Sequence, residues 1–162
     1  VGLLVVSDSR GTMEKPDRCI PAVSGFLKEN GFELVRTEIC KDEMEQIREI
    51  LKEWADKKNL EVILTSGGTG VSPRDVTPEA TRPLLDREIP GIPEAMRAAS
   101  MKKSAFGLVS RGVAGLIGDI LVINLPGSPK AAVENLEAVY KAIEHIVKKA
   151  AGDPTECAPN LE

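Results

Sequence analysis

Glu61-Val62-Ile63-Leu64-Thr65-Ser66-Gly67-Gly68-Thr69-Gly70 decides the architecture of this chain. A short aliphatic run that stops in a glycine-rich turn predicts a strand buried on both faces, followed by a sharp bend. Upstream, Val1-Gly2-Leu3-Leu4-Val5-Val6 is a second such run, ending in Ser7-Asp8. Between the two, residues 20–30 read as a helix closed by Gly31, which suits a left-handed cap. Residues 32–39 alternate apolar and polar side chains as a strand does, and Met44, Ile47, Ile50, Leu51 and Trp54 recur at the spacing of a core-facing helix. This β-α-β-α-β order with short loops predicts a parallel sheet covered by helices.

Downstream, Thr77-Pro78-Glu79 reads as a helix opening, with Thr as cap and Pro at the first helical position. A further helix is expected after Pro93, through Glu94 to Lys102. Residues 116–121 look like a hairpin with Gly118-Asp119 at its tip, and residues 120–124 like a last apolar strand. Leu125-Pro126-Gly127-Ser128-Pro129 then opens a long helix reaching about Ala150, with Ala132, Leu136, Val139, Ile143 and Ile146 on one face. The expectation is one doubly wound α/β domain over residues 1–152. Its mostly parallel sheet lies in a three-layer α/β/α arrangement with a small β-hairpin extension. Residues 153–162, polar and Pro-bearing, are expected to form a flexible tail.

Composition removes several classes of function. The 162 residues suffice for one substantial core, and 42% hydrophobic with 28% charged residues is an ordinary globular balance. A net charge of -4 gives no footprint for a nucleic-acid backbone, and 3% aromatics give no base-stacking platform. Cys19, Cys40 and Cys157 form no CxxC pair, and His145 is the single histidine, so no zinc cluster is expected. No apolar run approaches the roughly 20 residues of a membrane helix. The chain opens directly in a strand-like segment, as if a few leading residues preceded it, with no signal-peptide pattern; a cytoplasmic protein is expected.

Ligands of open parallel sheets bind outside the carboxyl ends of the strands. Three turns should meet there: Ser7-Asp8, residues 65–75 and residues 124–128. Gly67, Gly68 and Gly70 let main-chain N–H groups approach an oxyanion, and the hydroxyls of Ser66 and Thr69 add donors. The same glycines equally suit a plain tight turn. Neither a P-loop nor a dinucleotide fingerprint is present. Asp75, just before the expected helix at Thr77, can hold Mg²⁺ together with substrate phosphates, or can simply stabilise the helix start. Ser128 is expected as an N-cap that can also offer a phosphate its hydroxyl. Asp8 and Asp42 are the other carboxylates beside strand ends. These residues lead to a phosphate- and metal-binding rim, and no further.

Taken in order, Val6-Ser7-Asp8, Thr65-Ser66-Gly67-Gly68-Thr69-Gly70, Arg74-Asp75-Val76-Thr77-Pro78-Glu79-Ala80, Ser110-Arg111 and Asn124-Leu125-Pro126-Gly127-Ser128-Pro129 resemble the molybdopterin adenylyltransferases. These are the MogA type, akin to MoaB and to the G domain of gephyrin. The chain departs from the family pattern at Ser9-Arg10-Gly11-Thr12 and at Cys19-Ile20-Pro21. The resemblance implies a nucleotidyltransferase of molybdenum cofactor biosynthesis. It would place AMP from ATP on the terminal phosphate of molybdopterin with Mg²⁺, releasing pyrophosphate. Carried over by position, Asp42 and Asp75 would be catalytic and hold the metal through substrate phosphates. Asp8, Ser66, Gly67, Gly68, Thr69 and Gly70 would lie against nucleotide or phosphate, and Ser110, Arg111, Pro126, Gly127 and Ser128 on the molybdopterin side. It further implies a homotrimer and hand-over of product to a molybdenum insertase. The alternatives are a non-catalytic molybdopterin-binding or scaffold protein of the MoaB/gephyrin-like type, or a related domain of the insertase or of a competence-damage protein.

Overall fold

A computed structural model describes residues 1–9 and 16–154 of the chain. Four strands, β1 (Gly2–Val6), β2 (Arg36–Cys40), β3 (Val62–Ser66) and β6 (Ile120–Leu125), run parallel to one another. β5 (Ala114–Ile117) pairs antiparallel with β6, and β4 (Arg87–Glu88) antiparallel with β5. The sheet order is β2-β1-β3-β6-β5-β4. The winding therefore reverses between β1 and β3, and the crevice of such a fold opens at that switch point.

The helices are α1 (Cys19–Glu29), α2 (Met44–Asp56), α3 (Thr77–Thr81), α4 (Gly91–Met101) and α5 (Pro129–Ala150). Alternation along the strands divides the core in two. Leu3, Val5, Leu64 and Ile123 point to the face covered by α1, α4 and α5, through Val23, Leu27, Met96, Leu136 and Ile143. Leu4, Val6, Ile63 and Val122 point to the face covered by α2 and α3, through Ile47, Leu51, Trp54 and Ala80. The expected three-layer, doubly wound arrangement is present.

Several local expectations are corrected. The hairpin is woven into the sheet rather than appended to it: β6 lies inside, between β3 and β5. The second strand begins at Arg36 rather than Phe32, because β1 starts at Gly2 and offers no earlier strand partner; before it the Val35 N–H reaches the Val1 carbonyl at 2.9 Å and the Val1 amino group donates to the Glu33 carbonyl at 2.8 Å. Thr77 is the first residue of α3 rather than its cap, and its hydroxyl donates to the Gly67 carbonyl at 2.8 Å. Ser128 holds the N-cap position of α5, but its hydroxyl makes no capping bond. α4 starts at Gly91, ahead of Pro93. Met44 is 37% exposed and drops out of the apolar stripe. Of the expected tail, residues 155–162, with Cys157, lie outside the described residues; Asp153 still donates its N–H to the Lys148 carbonyl.

A buried polar knot lies directly beneath the strand ends. The Asn124 amide donates to the hydroxyls of Thr65 and Thr81, at 3.0 Å each, and accepts from the Val113 N–H at 3.3 Å. Thr81 in turn donates to the Thr77 carbonyl at 2.8 Å. Asn124, Thr65 and Thr81 are all essentially inaccessible, so each lost partner leaves a buried polar group unsatisfied. Asn124→Leu, near in size but unable to hydrogen-bond, should destabilise by about 2–4 kcal/mol. Urea unfolding measures this, and an unchanged midpoint would show the knot to be energetically idle.

Candidate functional site

The glycine turns bring three strand ends together. Gly67 has φ +115, and a Cβ there would overlap the Val6 carbonyl oxygen at the end of β1. A Cβ on Gly127, past the end of β6, would come within 3.2 Å of the Gly67 Cα. Gly67 also donates its N–H to the Leu125 carbonyl at 3.2 Å. Only residues without side chains allow backbone to approach backbone so closely. Beyond this contact, the N–H groups of Gly68, Thr69 and Gly70 meet no acceptor among the described residues. Successive free N–H groups in a tight turn form an anion-binding concavity.

Two carboxylates border that loop. A Cβ on Gly68 would lie 3.2 Å from Asp42 Oδ1, and one on Gly70 2.9 Å from Asp75 Oδ2. Asp42 follows β2 and Asp75 follows the loop itself, so the fold sets them on the same rim. Asp75 Oδ2 accepts the Ser72 N–H at 2.8 Å. Asp42 Oδ2 accepts the Asp8 N–H at 2.7 Å, and Asp8 Oδ1 accepts the Asp42 N–H at 3.1 Å. Burial raises the Asp42 carboxyl above the usual carboxylate range, and the charges of Asp8 and Asp75 push the same way. Asp8 is held below that range, chiefly by Arg74. Arg74 Nε and an Nη grip both Asp8 oxygens at 3.1 and 2.9 Å, and the same Nη reaches Glu43 at 3.0 Å.

The remaining expected residues are arranged around this centre. Arg111 is fastened to the loop: its N–H donates to the Thr69 carbonyl at 2.8 Å, and its guanidinium donates to the Gly70 and Asp75 carbonyls at 2.6 Å each. It also pairs with Glu79, holding that carboxyl below its ordinary range. Ser66 is fully buried, and its hydroxyl donates to the Pro126 carbonyl at 3.0 Å. Cys19 Sγ lies against both Ser66 Oγ at 3.3 Å and the Gly127 carbonyl at 3.2 Å, so the Cys19 departure from the family pattern falls beneath the rim. Ser110 receives Arg97 on its carbonyl at 3.5 Å, leaving its hydroxyl unengaged among the described residues. Of the stretch Ser9–Thr12, residues 10–12 lie outside the described residues.

Arg74, Glu43, Thr77 and Cys19 are the rim residues to which sequence reasoning gave no part in the site. Arg74 and Thr77 had a signal in the stretch Arg74–Ala80, and Cys19 in its departure from the family pattern; Glu43 had none. A cavity of about 660 Å³ lies at the amino ends of the strands between Val1, Phe32, Leu60 and Val147, away from these groups. Another, of about 370 Å³, adjoins the rim, sharing Glu79 and Arg111 with it.

A doubly wound α/β domain that gathers glycine turns and carboxylates at its switch point belongs to the class that handles phosphorylated ligands. The chain is a member of the family described as probable molybdopterin binding domain, whose profile matches residues 2–145. It is 46% identical to the molybdopterin biosynthesis enzyme MoaB of Thermus thermophilus, superposing with a TM-score of 0.87 over 96% of this chain and 98% of that one. It is 39% identical to the molybdopterin adenylyltransferase of Haemophilus influenzae, over 86% of this chain and 72% of that protein. Similarity to the molybdenum cofactor synthesis protein cinnamon of Drosophila melanogaster, 38% identical, covers 90% of this chain but only about a quarter of that much longer protein (24%).

Proposed function

We propose that this chain is a molybdopterin adenylyltransferase acting in molybdenum cofactor biosynthesis, with ATP as donor and Mg²⁺ as cofactor. One observation carries the reading: Asp42 and Asp75 flank a single glycine loop in which the N–H groups of residues 68–70 have no acceptor among the described residues. A binder without turnover would need neither carboxylate. An oxygen of the molybdopterin phosphate would attack the α-phosphorus of ATP. The bond from that phosphorus to the bridging oxygen breaks, and pyrophosphate leaves with the electron pair. The chain contributes alignment: the N–H groups of residues 68–70 receive phosphate oxygens, and Arg111 holds their loop in place.

The donor set suits Mg²⁺. Among the described residues no cluster of three or more His, Cys, Asp or Glu side chains is placed to hold a metal, whereas two carboxylates each keep one oxygen outside any protein hydrogen bond. Mg²⁺ usually pairs one or two carboxylates with water and substrate phosphates. Bound there, it would neutralise charge gathering on the phosphates.

The adenylated product would pass to a molybdenum insertase. We place the protein in the cytoplasm; no helix among the described residues is long and apolar enough to cross a membrane. A homotrimer is supported by apolar surface on the 3₁₀ segment Ala105–Val109, where Phe106 is 82% and Leu108 67% exposed, since monomers seldom leave such groups clustered in water. A mass of one chain by equilibrium sedimentation would remove the trimer. Incubation with molybdopterin, ATP and Mg²⁺ tests the activity itself: adenylated molybdopterin is expected, and binding without that product would overturn it.

A further inference from the structure

Three aspartates meet at this rim, and the geometry gives them unequal work. Asp8 and Asp42 are 34 residues apart and are joined by two hydrogen bonds, each carboxylate accepting the other's N–H. Two carboxylates so close repel one another unless a cation intervenes. Among the described residues Arg74 intervenes, on the Asp8 side. Its fork takes both oxygens of Asp8, whose Oδ1 thus receives Arg74 and the Asp42 N–H together. A carboxylate gripped at both oxygens by a guanidinium is largely neutralised and geometrically occupied. Among the described residues Asp42 uses only Oδ2, while its Oδ1 is the atom that borders Gly68.

We propose that Arg74 is a positioning residue: it converts Asp8 into the strut beneath Asp42 and so keeps Asp8 off the divalent ion that Asp42 and Asp75 hold. This rests on the metal reading above and deepens it. Asp8 then supports the site through Asp42 rather than by touching nucleotide. Lysine cannot replace Arg74, because one ammonium cannot span both carboxylate oxygens and Glu43 in this way.

The test combines metal binding with turnover in Arg74→Gln, Arg74→Lys and the double variant Asp8→Asn/Arg74→Gln. Mn²⁺ serves as the probe, titrated by calorimetry into nucleotide-free protein, so the first readout needs no catalysis. Arg74→Gln leaves the negative charge of Asp8 unbalanced next to Asp42. It should bind Mn²⁺ about tenfold more tightly than the parent protein while adenylyl transfer falls about tenfold. Arg74→Lys should recover only part of the rate. Adding Asp8→Asn to Arg74→Gln should return the Mn²⁺ affinity to the parent value and restore most of the rate. The amide oxygen still accepts the Asp42 N–H, and no charge is left to neutralise. A merely structural arginine would give neither the gain in metal affinity nor the rescue. Arg74→Gln binding Mn²⁺ no more tightly, or a double variant no better than the single one, would overturn the proposal. Absence of product from every protein, the parent included, would instead remove the adenylyltransferase reading, with the Mn²⁺ series still deciding Arg74.

Discussion

Gly67→Ala should leave a domain that barely folds. The residue has φ +115, which strains any side chain, and its new methyl group would overlap the Val6 carbonyl oxygen. The obstacle is backbone of the interior strand β1, so no rotamer change relieves it. We expect a loss of about 3–5 kcal/mol, a large share of the roughly 5–15 kcal/mol that stabilises a typical domain. The control is Gly25→Ala within α1, where an added Cβ meets nothing within 4 Å. There alanine should be neutral or stabilise by up to about 1 kcal/mol. Equal urea midpoints for Gly67→Ala and the parent would mean that the strand ends do not touch as described.

Asp42→Asn and Asp75→Asn should each lower kcat by about 10²-fold or more while the fold persists. Asparagine matches aspartate in shape and can still accept the hydrogen bonds that now come from the Asp8 and Ser72 N–H groups. It cannot supply the charge that grips a divalent ion. Because both carboxylates would serve one ion, the double variant should be little worse than either single one. In the metal-free protein burial holds the Asp42 carboxyl above its ordinary range, so as pH falls it takes up its proton before an ordinary aspartate would. Mn²⁺ affinity should accordingly begin to fall at a pH above the ordinary aspartate value of about 3.9. Full turnover by Asp75→Asn would remove it from the metal, and Mn²⁺ affinity that holds unchanged down to that pH would contradict the environment described for Asp42.

What the sequence disclosed follows physical lines. β1 and β3 were legible because strands buried on both faces must be aliphatic throughout, and α2 because Ile47, Leu51 and Trp54 repeat on one face. β4 was not, since Arg87–Glu88 is two exposed charged residues that become a strand only because β5 presents an edge. Thr77 misled for a related reason: its local chemistry suits a cap, but Gly67, ten residues earlier, claims the hydroxyl. Asp75 was expected at the rim from its place beyond the glycine loop, whereas Asp42 was set there only by the family resemblance, because an aspartate after a strand says nothing by itself. The work of Arg74 was hidden because its partner Asp8 lies 66 residues away, a separation that no local pattern encodes.

The strand order has a consequence for synthesis. β3 sits between β1 and β6, and β6 emerges only at residues 120–125, so a growing chain has its first three strands long before the fourth closes the parallel half. Until then one edge of β3 stands bare and Gly67 lacks the Leu125 carbonyl that receives its N–H. Contacts of such long sequence separation form slowly, and an open strand edge invites pairing with other chains. The nascent protein must therefore travel most of its length before the rim can exist at all, and its most hazardous interval falls between the third strand and the last.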